Sequence, residues 1–182
     1  MQNHGSGNSP TIRPVGDRQP VDRGDLDMRI ARDGTWHYRG SPIGRLPLVK
    51  LFASVLRRDT DGSYWLVTPA ERGRIAVEDA PFLAVELTVA GQGRSQQLIF
   101  RTNLDDNVTA GPDHPLRVET TSDGQPAPYI LVRDRLEARL TRTVFYELVE
   151  LGDEQQVGDA GEFGVWSAGV FFRLGDPGPD WK

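Results

Sequence analysis

One histidine and three aspartates lie close together in the second half of the chain, at His114, Asp105, Asp106 and Asp113. An imidazole that is oriented by a carboxylate can act as a general base, and the same groups can hold a metal ion. No activated nucleophile is identifiable beside them, and acidic corners between strands are commonly just solvated. A structural or turn role is therefore favoured. The alternative is a hydrolase or metal-dependent enzyme that uses His114 with a nearby aspartate.

Three other motifs resemble catalytic or ligand-binding loops, but each lacks an essential feature. Ser167, in the stretch 164–169, misses the spacing of a hydrolase nucleophile elbow by one residue. The GQG sequence at 91–93 lacks the third glycine of a dinucleotide fingerprint, and the DTDG sequence at 59–62 lacks the later glutamate of a calcium loop. Cysteine is absent, which excludes thiolate chemistry. The sequence therefore predicts a protein that is not an enzyme, with no metal site and no cofactor.

The composition narrows the classes of partner. The chain of 182 residues has a formal net charge of −5 at pH 7. This charge argues against nucleic acid as a partner, because such binding depends on cationic contacts to phosphate. The N-terminal stretch lacks the apolar core of a signal peptide, and no apolar run approaches the ~20 residues of a membrane span. The expectation is a cytoplasmic protein with no membrane span.

Aromatic and polar side chains at predicted strand ends favour a binding role. Trp36 and Tyr38 alternate along one strand and would offer apolar contact. Polar side chains that would give directional hydrogen bonds stand where strands end: Thr68, Glu71, Arg101, Asn103 and His114. If two lobes meet at those ends, the seven residues would line the cleft between them. We therefore predict a binding module for an unknown small molecule, peptide or protein. Ordinary core packing of these residues and a structural interaction subunit are the alternatives.

The elements that would position these residues begin with the stretch 33–56. Asp33-Gly34 is a hairpin-type dipeptide, since glycine accepts a positive φ and aspartate tolerates it. Pro47 suits the first turn of a helix predicted over 47–57. The apolar residues of this helix share one face: Leu48, Leu51, Phe52, Val55 and Leu56. That face is predicted to pack on the core, and the opposite face, with Lys50, to be solvated.

A weaker echo of this plan recurs from 123 to 151. Asp123-Gly124 matches the first turn, and a helix is predicted over 143–151. Period-two alternation predicts strands between the copies, with one closing strand at 163–174 after a polar loop at 153–162. One such unit leaves an apolar face uncovered, so a second unit must cover it. The predicted fold is α+β and mostly antiparallel, with a duplicated hairpin-helix-strand unit in two lobes.

A break in the strand pattern at 78–81 predicts the boundary between the lobes, because its proline cannot continue an internal ladder. The N-terminal lobe is predicted over 22–79 and the C-terminal lobe over 80–176. Residues 1–21 are rich in Gly, Pro, Ser, Asn and Gln, which predicts a disordered tail. A second, short tail is predicted at 177–182.

Eight stretches of the chain together resemble an uncharacterised bacterial family called domain of unknown function 1285. They are DGTWHYRGSPIGR, LVKLFASVLRR, YWLVTPAE, VEDAPFLAVE, IFRTN, HPLRVE, FYELVEL and GVWSAGVFF. The resemblance covers about 25–175 and is specific as a set, although no single motif is diagnostic of a chemistry. The chain departs from the family at 133–135, where a glycine-containing turn is usual, and at Thr143, where proline is common. Both departures concern local turn geometry.

The resemblance implies a two-lobed protein with a duplicated motif, in which the C-terminal lobe is similar to pleckstrin-homology-like folds. It also implies a ligand or partner site between the lobes and a role in signalling. The residues of this chain that occupy motif positions are Trp36, Tyr38, Thr68, Pro69, Asn103, His114, Pro115 and Trp166. The resemblance does not say which of them bind anything.

Overall fold

The structure is a computed structural model that describes residues 19–157 and 160–175. The predicted tails at 1–21 and 177–182 lie outside these ranges, apart from residues 19–21, where Val21 opens the first strand. No helix within the described ranges is long and apolar enough to cross a membrane. The lobe limits of 22–79 and 80–176 stay predictions.

The first half of the chain forms a six-stranded sheet, here called sheet A, and one helix. Its elements are β1 (Val21–Ile30), β2 (Trp36–Tyr38), β3 (Ser41–Pro42), α1 (Leu46–Ser54), β4 (Leu56–Arg58), β5 (Tyr64–Val67) and β6 (Glu71–Val77). The strands lie in the order β3-β2-β1-β6-β5-β4, and β1 runs parallel to β6. Gly34 lies in the turn from β1 to β2 and has a φ of 83°. A Cβ at this position would lie 2.8 Å from the side-chain nitrogen Nδ2 of Asn103. This turn therefore needs glycine for its backbone and for its close contact with the second half of the chain.

The second half of the chain forms another six-stranded sheet, here called sheet B. Its strands are β7 (Phe82–Ala90), β8 (Gln97–Thr102), β9 (Asn107–Thr109), β10 (Leu116–Thr120), β11 (Pro126–Arg133) and β12 (Leu136–Leu140), with a 3-10 turn at Gly93–Ser95. They lie in the order β10-β11-β12-β7-β8-β9, and β12 runs parallel to β7. Over the described residues the fold is thus mostly β with two helices, and its sheets lie in two lobes. The prediction of a two-lobed α+β protein with mostly antiparallel pairing is confirmed at this level.

A third, three-stranded sheet, sheet C, follows helix α2. The helix is α2 (Arg142–Glu150) and the strands are β13 (Asp153–Val157), β14 (Ala160–Ser167) and β15 (Val170–Gly175). The Thr141 hydroxyl caps α2 by accepting from the Val144 amide, and the helix buries Val144, Phe145 and Leu148. Helix α2 packs against β7 and β14, and β15 lies beside β10. Sheet C therefore closes over one side of sheet B.

The strands of sheets A and B are connected in the same order. The repeated unit therefore differs from the predicted hairpin-helix-strand unit. Each sheet consists of two three-stranded meanders, and the first strand runs parallel to the sixth. By this order the turn at Asp123-Gly124 corresponds to Asp61-Gly62, not to Asp33-Gly34. The predicted linear order of hairpin, return strand, helix and strand is present in both halves. However, the strand after α2 belongs to sheet C, so the repeating unit of the sheets is six strands.

Helix α1 buries a different face from the predicted one. Val49 and Ala53 are its buried residues, whereas Leu51 is 61% exposed and Leu48 is 36% exposed. The predicted stripe is apolar, but it lies beside the buried face, with Phe52 and Val55 only partly covered. The side that carries Lys50, predicted to be solvated, turns towards sheet B.

Two strand predictions near the C-terminus are wrong. The stretch 163–174 is not one strand, because Ala168 and Gly169 have φ values of 50° and 77° and turn β14 back into β15. The predicted polar loop at 153–162 contains β13 and the start of β14.

Candidate functional site

A cavity of about 480 Å³ lies between helix α1 and one edge of sheet B. Its lining comes from α1 (Lys50, Ala53, Ser54), from the β8–β9 turn and β9 (Leu104, Asp106, Asn107, Val108), and from the C-terminal lobe beyond β9 (His114, Val132, Arg133). The two lobes therefore both contribute to the wall. The volume is within the range of small-molecule sites, which is roughly 300–1,000 Å³.

The turn between β8 and β9 is fixed by a buried threonine. The Thr102 hydroxyl accepts from the amides of Leu104 (3.2 Å) and Asp106 (3.1 Å). Thr102 itself is fully buried, and its amide donates to the Asp106 carbonyl at 2.8 Å. These bonds hold a tight turn in which Asp105 has a φ of 67°. The turn places Asp106 and its neighbour Asn107 at the cavity wall.

His114 is oriented by backbone groups. Reciprocal bonds between Gly111 and His114, at 3.1 and 3.2 Å, close the turn that carries it. Its Nδ1 lies 3.0 Å from the carbonyl oxygen of Leu131. Because a carbonyl only accepts, Nδ1 carries the proton in this bond. The Nε2 of a neutral His114 is then left as a hydrogen-bond acceptor.

Cations from both lobes reach the cavity. The Lys50 ammonium pairs with the Asp105 carboxylate at 2.7 Å, and Arg101 binds the same carboxylate at 3.3 Å. The hydrogen bond and charge of Lys50, followed by Arg101, hold the pKa of Asp105 below its usual value. Arg133 donates to the carbonyl oxygen of Ala53 at the end of α1, so it joins the lobes on the other side of the cavity.

Two polar side chains of the wall have no fixed partner. Within the described part of the chain, the carboxylate of Asp106 and the amide of Asn107 make no hydrogen bond to another residue. Asp106 and Asn107 are both exposed. With His114 Nε2, they are the groups of the cavity that remain available to a ligand.

Of the seven residues predicted to line a cleft between the lobes, His114 lines this cavity. Arg101 lies behind it, held by Glu86 at 2.7 Å and by Asp105. Asn103 accepts from the Leu83 amide at 3.0 Å and packs on the Gly34 turn. Arg101 and Asn103 therefore support the junction of the lobes and do not form the cavity wall.

The other four predicted residues lie elsewhere. Trp36 is a core residue, 1% exposed, and its ring stacks on Phe52 at 6.2 Å between centroids. Tyr38 is 44% exposed, and the Arg39 guanidinium lies over its ring. Thr68 and Glu71 line a separate, smaller pocket of about 180 Å³. The structure thus does not bring the seven residues together, and ligand binding by them stays a prediction.

The residues considered for catalysis are separated or occupied. The His114 ring bonds a carbonyl, while Asp105 is turned to Lys50 and Asp113 is exposed. No group of three or more histidine, aspartate or glutamate side chains within 19–157 and 160–175 is arranged to hold a metal ion. The Ser167 hydroxyl is buried between two backbone groups, accepting from the Leu98 amide at 3.0 Å and donating to the Ala110 carbonyl at 2.7 Å.

Sequence reasoning missed Lys50, Ser54, Asn107 and Arg133 as cavity residues. The helical pattern predicts that Lys50 is solvated, and Asn107 belongs to no motif that indicates binding. The departure from the family pattern at 133–135 is the sequence feature that points to Arg133. Its guanidinium donates to the carbonyl oxygen of Ala53 at the end of α1.

Comparison with known proteins gives one consistent result. Residues 13–80 match "Domain of unknown function (DUF1285), N-terminal domain", and residues 81–174 match "Protein of unknown function (DUF1285), C-terminal domain". The crystal structure of a DUF1285 family protein from Silicibacter pomeroyi DSS-3 is similar at 48% identity, covering 92% of this chain and 89% of that one, with a TM-score of 0.79. A DUF1285 family protein from Shewanella baltica OS155 is similar at 31% identity, covering 69% of this chain and 91% of that one, with a TM-score of 0.54. No curated protein matches the chain.

Proposed function

The chain belongs to the DUF1285 family, and we propose that it is a binding module whose ligand occupies the cavity between α1 and sheet B. The observation that carries this proposal is the wall itself, which combines Lys50 and Ser54 of one lobe with Asn107 and His114 of the other. A ligand that bridges the two walls would bind only when the lobes are packed together. Such a site suits a module that recognises a molecule without transforming it.

The lining indicates a small polar molecule or the end of a peptide. Apolar contact is available from Leu104, Val108 and Val132. Lys50 and Arg133 make this part of the wall positive, but Lys50 is already paired with Asp105 and Arg133 with the Ala53 carbonyl oxygen, so a ligand carboxylate would have to share these partners. The free acceptors of the wall are Asp106, Asn107 and His114 Nε2, which suit ligand N–H or O–H groups.

A non-catalytic role is part of the same proposal. It is supported by the partner of His114 Nδ1, which is a backbone carbonyl and not the carboxylate of an oriented His-Asp pair. The predicted use in cytoplasmic signalling, and the likeness of the C-terminal lobe to pleckstrin-homology-like folds, also belong to this proposal. The part of the C-terminal lobe that would correspond to a pleckstrin-homology-like fold is sheet B together with α2, which packs on β7.

Native mass spectrometry of protein purified from its own host tests the proposal. We expect the wild-type protein to carry a bound small molecule or peptide, and Asn107→Ala to lose most of it at unchanged melting temperature. Gln97→Ala, an exposed strand residue outside the cavity, is the matched control and should retain the ligand. Asn103→Ala is unsuitable, because Asn103 bonds the Leu83 amide and its loss should lower the melting temperature.

Two results would contradict the proposal. One is a ligand that all variants retain equally, which would place its site outside the cavity. The other is turnover of the ligand by the wild-type protein that His114→Ala abolishes with the fold intact, which would favour the hydrolase alternative.

A further inference from the structure

Helix α1 is apolar around more than half of its circumference, and only one part of that surface is buried. At 100° per residue, Leu48, Leu51 and Val55 form a strip beside the buried pair Val49 and Ala53. This strip has no covering element within the described residues, since Leu51 is 61% exposed. Exposed apolar side chains that are contiguous commonly mark an interaction site.

A concave pocket adjoins the strip. It measures about 180 Å³ and lies between α1 and sheet A. Its apolar lining residues are Leu26, Met28, Phe52, Val55 and Leu66. Val55 belongs to both surfaces, so the strip and the pocket form one groove, here called the α1 groove. A pocket of this size suits one large apolar side chain.

The charged side chains that line the pocket are paired, Arg23 with Glu71 and Arg72 with Asp22. The unpaired charge at the ends of the groove is positive. From Gly34 to Arg58 the chain has five basic residues and no acidic one, so its net charge of −5 becomes −10 outside this segment.

Arg45 precedes α1 and Arg57 follows it, and the nine residues of the helix between them span roughly 13.5 Å at 1.5 Å per residue. Both are exposed, and neither pairs with a carboxylate among the described residues. Arg57 is instead held by the carbonyls of Ser54 and Leu56.

We propose that the α1 groove binds an acidic amphipathic segment of a partner protein. One large apolar side chain of the segment enters the pocket, its apolar neighbours cover Leu48 and Leu51, and carboxylates at its two ends pair with Arg45 and Arg57. This arrangement is the helix-in-groove mode, in which apolar anchors recur at helical spacing. It is independent of a ligand in the cavity, which lies on the Lys50 side of the helix.

Three other occupants fit the groove less well. A second copy related by a twofold axis would bring Arg45 against Arg57 of its partner, and like charges repel. Residues 1–18 of the chain contain two arginines and one aspartate, so they do not complement the two cations. An anionic membrane would complement the charge, but a flat lipid surface cannot fill a concave pocket.

Selection from a random 16-residue peptide library on immobilised full-length protein tests the proposal. Binders that also adhere to Leu51→Ser protein are removed first. We expect the selected peptides to share large apolar residues at i and i+3 or i+4, with glutamate or aspartate towards both ends. No enrichment, or enrichment of peptides without acidic ends, would overturn the proposal.

Fluorescence anisotropy with the most enriched peptide then tests the residues. We expect Leu51→Ser to weaken binding roughly tenfold, as expected for a lost buried leucine contact. Arg45→Glu should weaken binding of the acidic peptide and strengthen binding of the same peptide with its acidic residues replaced by lysine. The matched controls are Tyr146→Ser and Arg142→Glu, exposed changes of the same types on α2, which should change neither affinity. Equal loss in the controls would overturn the assignment.

Parallel measurements separate the other occupants. Light scattering that shows a dimer dissociated by Leu51→Ser would assign the groove to a second copy. Binding of a synthetic peptide of residues 1–18 to protein that lacks them, with no binding of acidic peptides, would assign it to that segment. Sedimentation with vesicles of phosphatidylserine and phosphatidylcholine that depends on Leu51, without peptide binding, would assign it to a membrane. Each of these results contradicts the proposal.

Discussion

The ammonium of Lys50 lies 2.7 Å from the carboxylate of Asp105, and this ion pair joins α1 of the first lobe to the β8–β9 turn of the second. It lies at the edge of the cavity that we propose as the ligand site. Arg101 holds the same carboxylate from sheet B, so Asp105 links two cations. Because the cavity has walls from both lobes, contacts of this kind determine its shape.

Replacing Lys50 with methionine is expected to raise the pKa of Asp105 towards its usual value of 3.8. The folded-state pKa is lowered, so the ionised carboxylate stabilises the fold above its unfolded pKa, and this stabilisation is lost as pH falls through the folded pKa. The difference in unfolding free energy between wild type and Lys50→Met should therefore be complete well above the unfolded pKa of 3.8 and shrink as pH falls from there through the lowered folded pKa. Carboxyl ¹³C titration and urea unfolding across pH measure both quantities. An unchanged Asp105 pKa would show that the pair is not formed in solution.

The hydroxyl of Tyr129 donates to Asp79 at 2.7 Å and ties the connection between sheets A and B to β11. Burial, followed by this hydrogen bond, raises the pKa of Tyr129. We expect Tyr129→Phe to lower the free energy of unfolding by roughly 1 kcal/mol at neutral pH. The wild-type advantage should be complete below the unfolded pKa of about 10 and fall as pH rises through the folded pKa. Tyr38→Phe, an exposed tyrosine, is the control, and an equal loss in both variants would contradict this account.

The Ser167 hydroxyl clamps sheet C to sheet B through the Leu98 amide and the Ala110 carbonyl. Ser167→Ala would leave both buried groups without this partner, so we expect a loss of roughly 2–4 kcal/mol in unfolding free energy. Ser95→Ala, which removes an exposed hydroxyl, should cost much less. Chemical unfolding of both variants gives the comparison. A loss for Ser167→Ala no larger than that for Ser95→Ala would show that the hydroxyl does not serve as a clamp.

Two glycines of β14 are expected to respond differently to alanine. A Cβ on Gly164 would overlap the Phe172 carbonyl oxygen and the Phe171 ring, whereas a Cβ on Gly161 meets nothing within 4 Å. Overpacking of this kind typically costs about 1–3 kcal/mol. Thermal melts should therefore show Gly164→Ala well below wild type and Gly161→Ala close to it. Equal melting temperatures for the two variants would contradict the packing of β14 on β15.

The strands and helices were largely predictable from sequence, because period-two and helical patterns are local. The alternation predicts strands over 82–90, 97–102 and 136–140, which are the bounds of β7, β8 and β12, and α2 begins and ends one residue earlier than predicted. The hairpin of sheet C was not predicted, because its turn consists of Ala168 and Gly169, and alanine is a weak turn signal. The polar composition of β13 likewise gave no strand pattern.

The cavity was less predictable than the fold, because it depends on which side of α1 is buried. The stripe with Leu48 and Leu51 is the more apolar side, and hydrophobic patterning alone buries it. In the structure the small residue Ala53 and Val49 face the core, and Lys50 turns towards Asp105 of the other lobe. That choice follows from tertiary contacts and is not encoded in the helix period.

The imidazole ¹⁵N spectrum gives the most direct test of the proposed ligand site, because the chain has only three histidines. The small-molecule fraction of a host-cell extract would be added to labelled protein, with Ser54→Trp as a variant that fills the cavity mouth. We predict that the Nε2 resonance of His114 shifts on addition while the resonances of His37 do not, and that Ser54→Trp abolishes the shift. A His114 resonance unaffected by an extract that raises the melting temperature, or shifted equally in Ser54→Trp, would contradict ligand binding between α1 and sheet B.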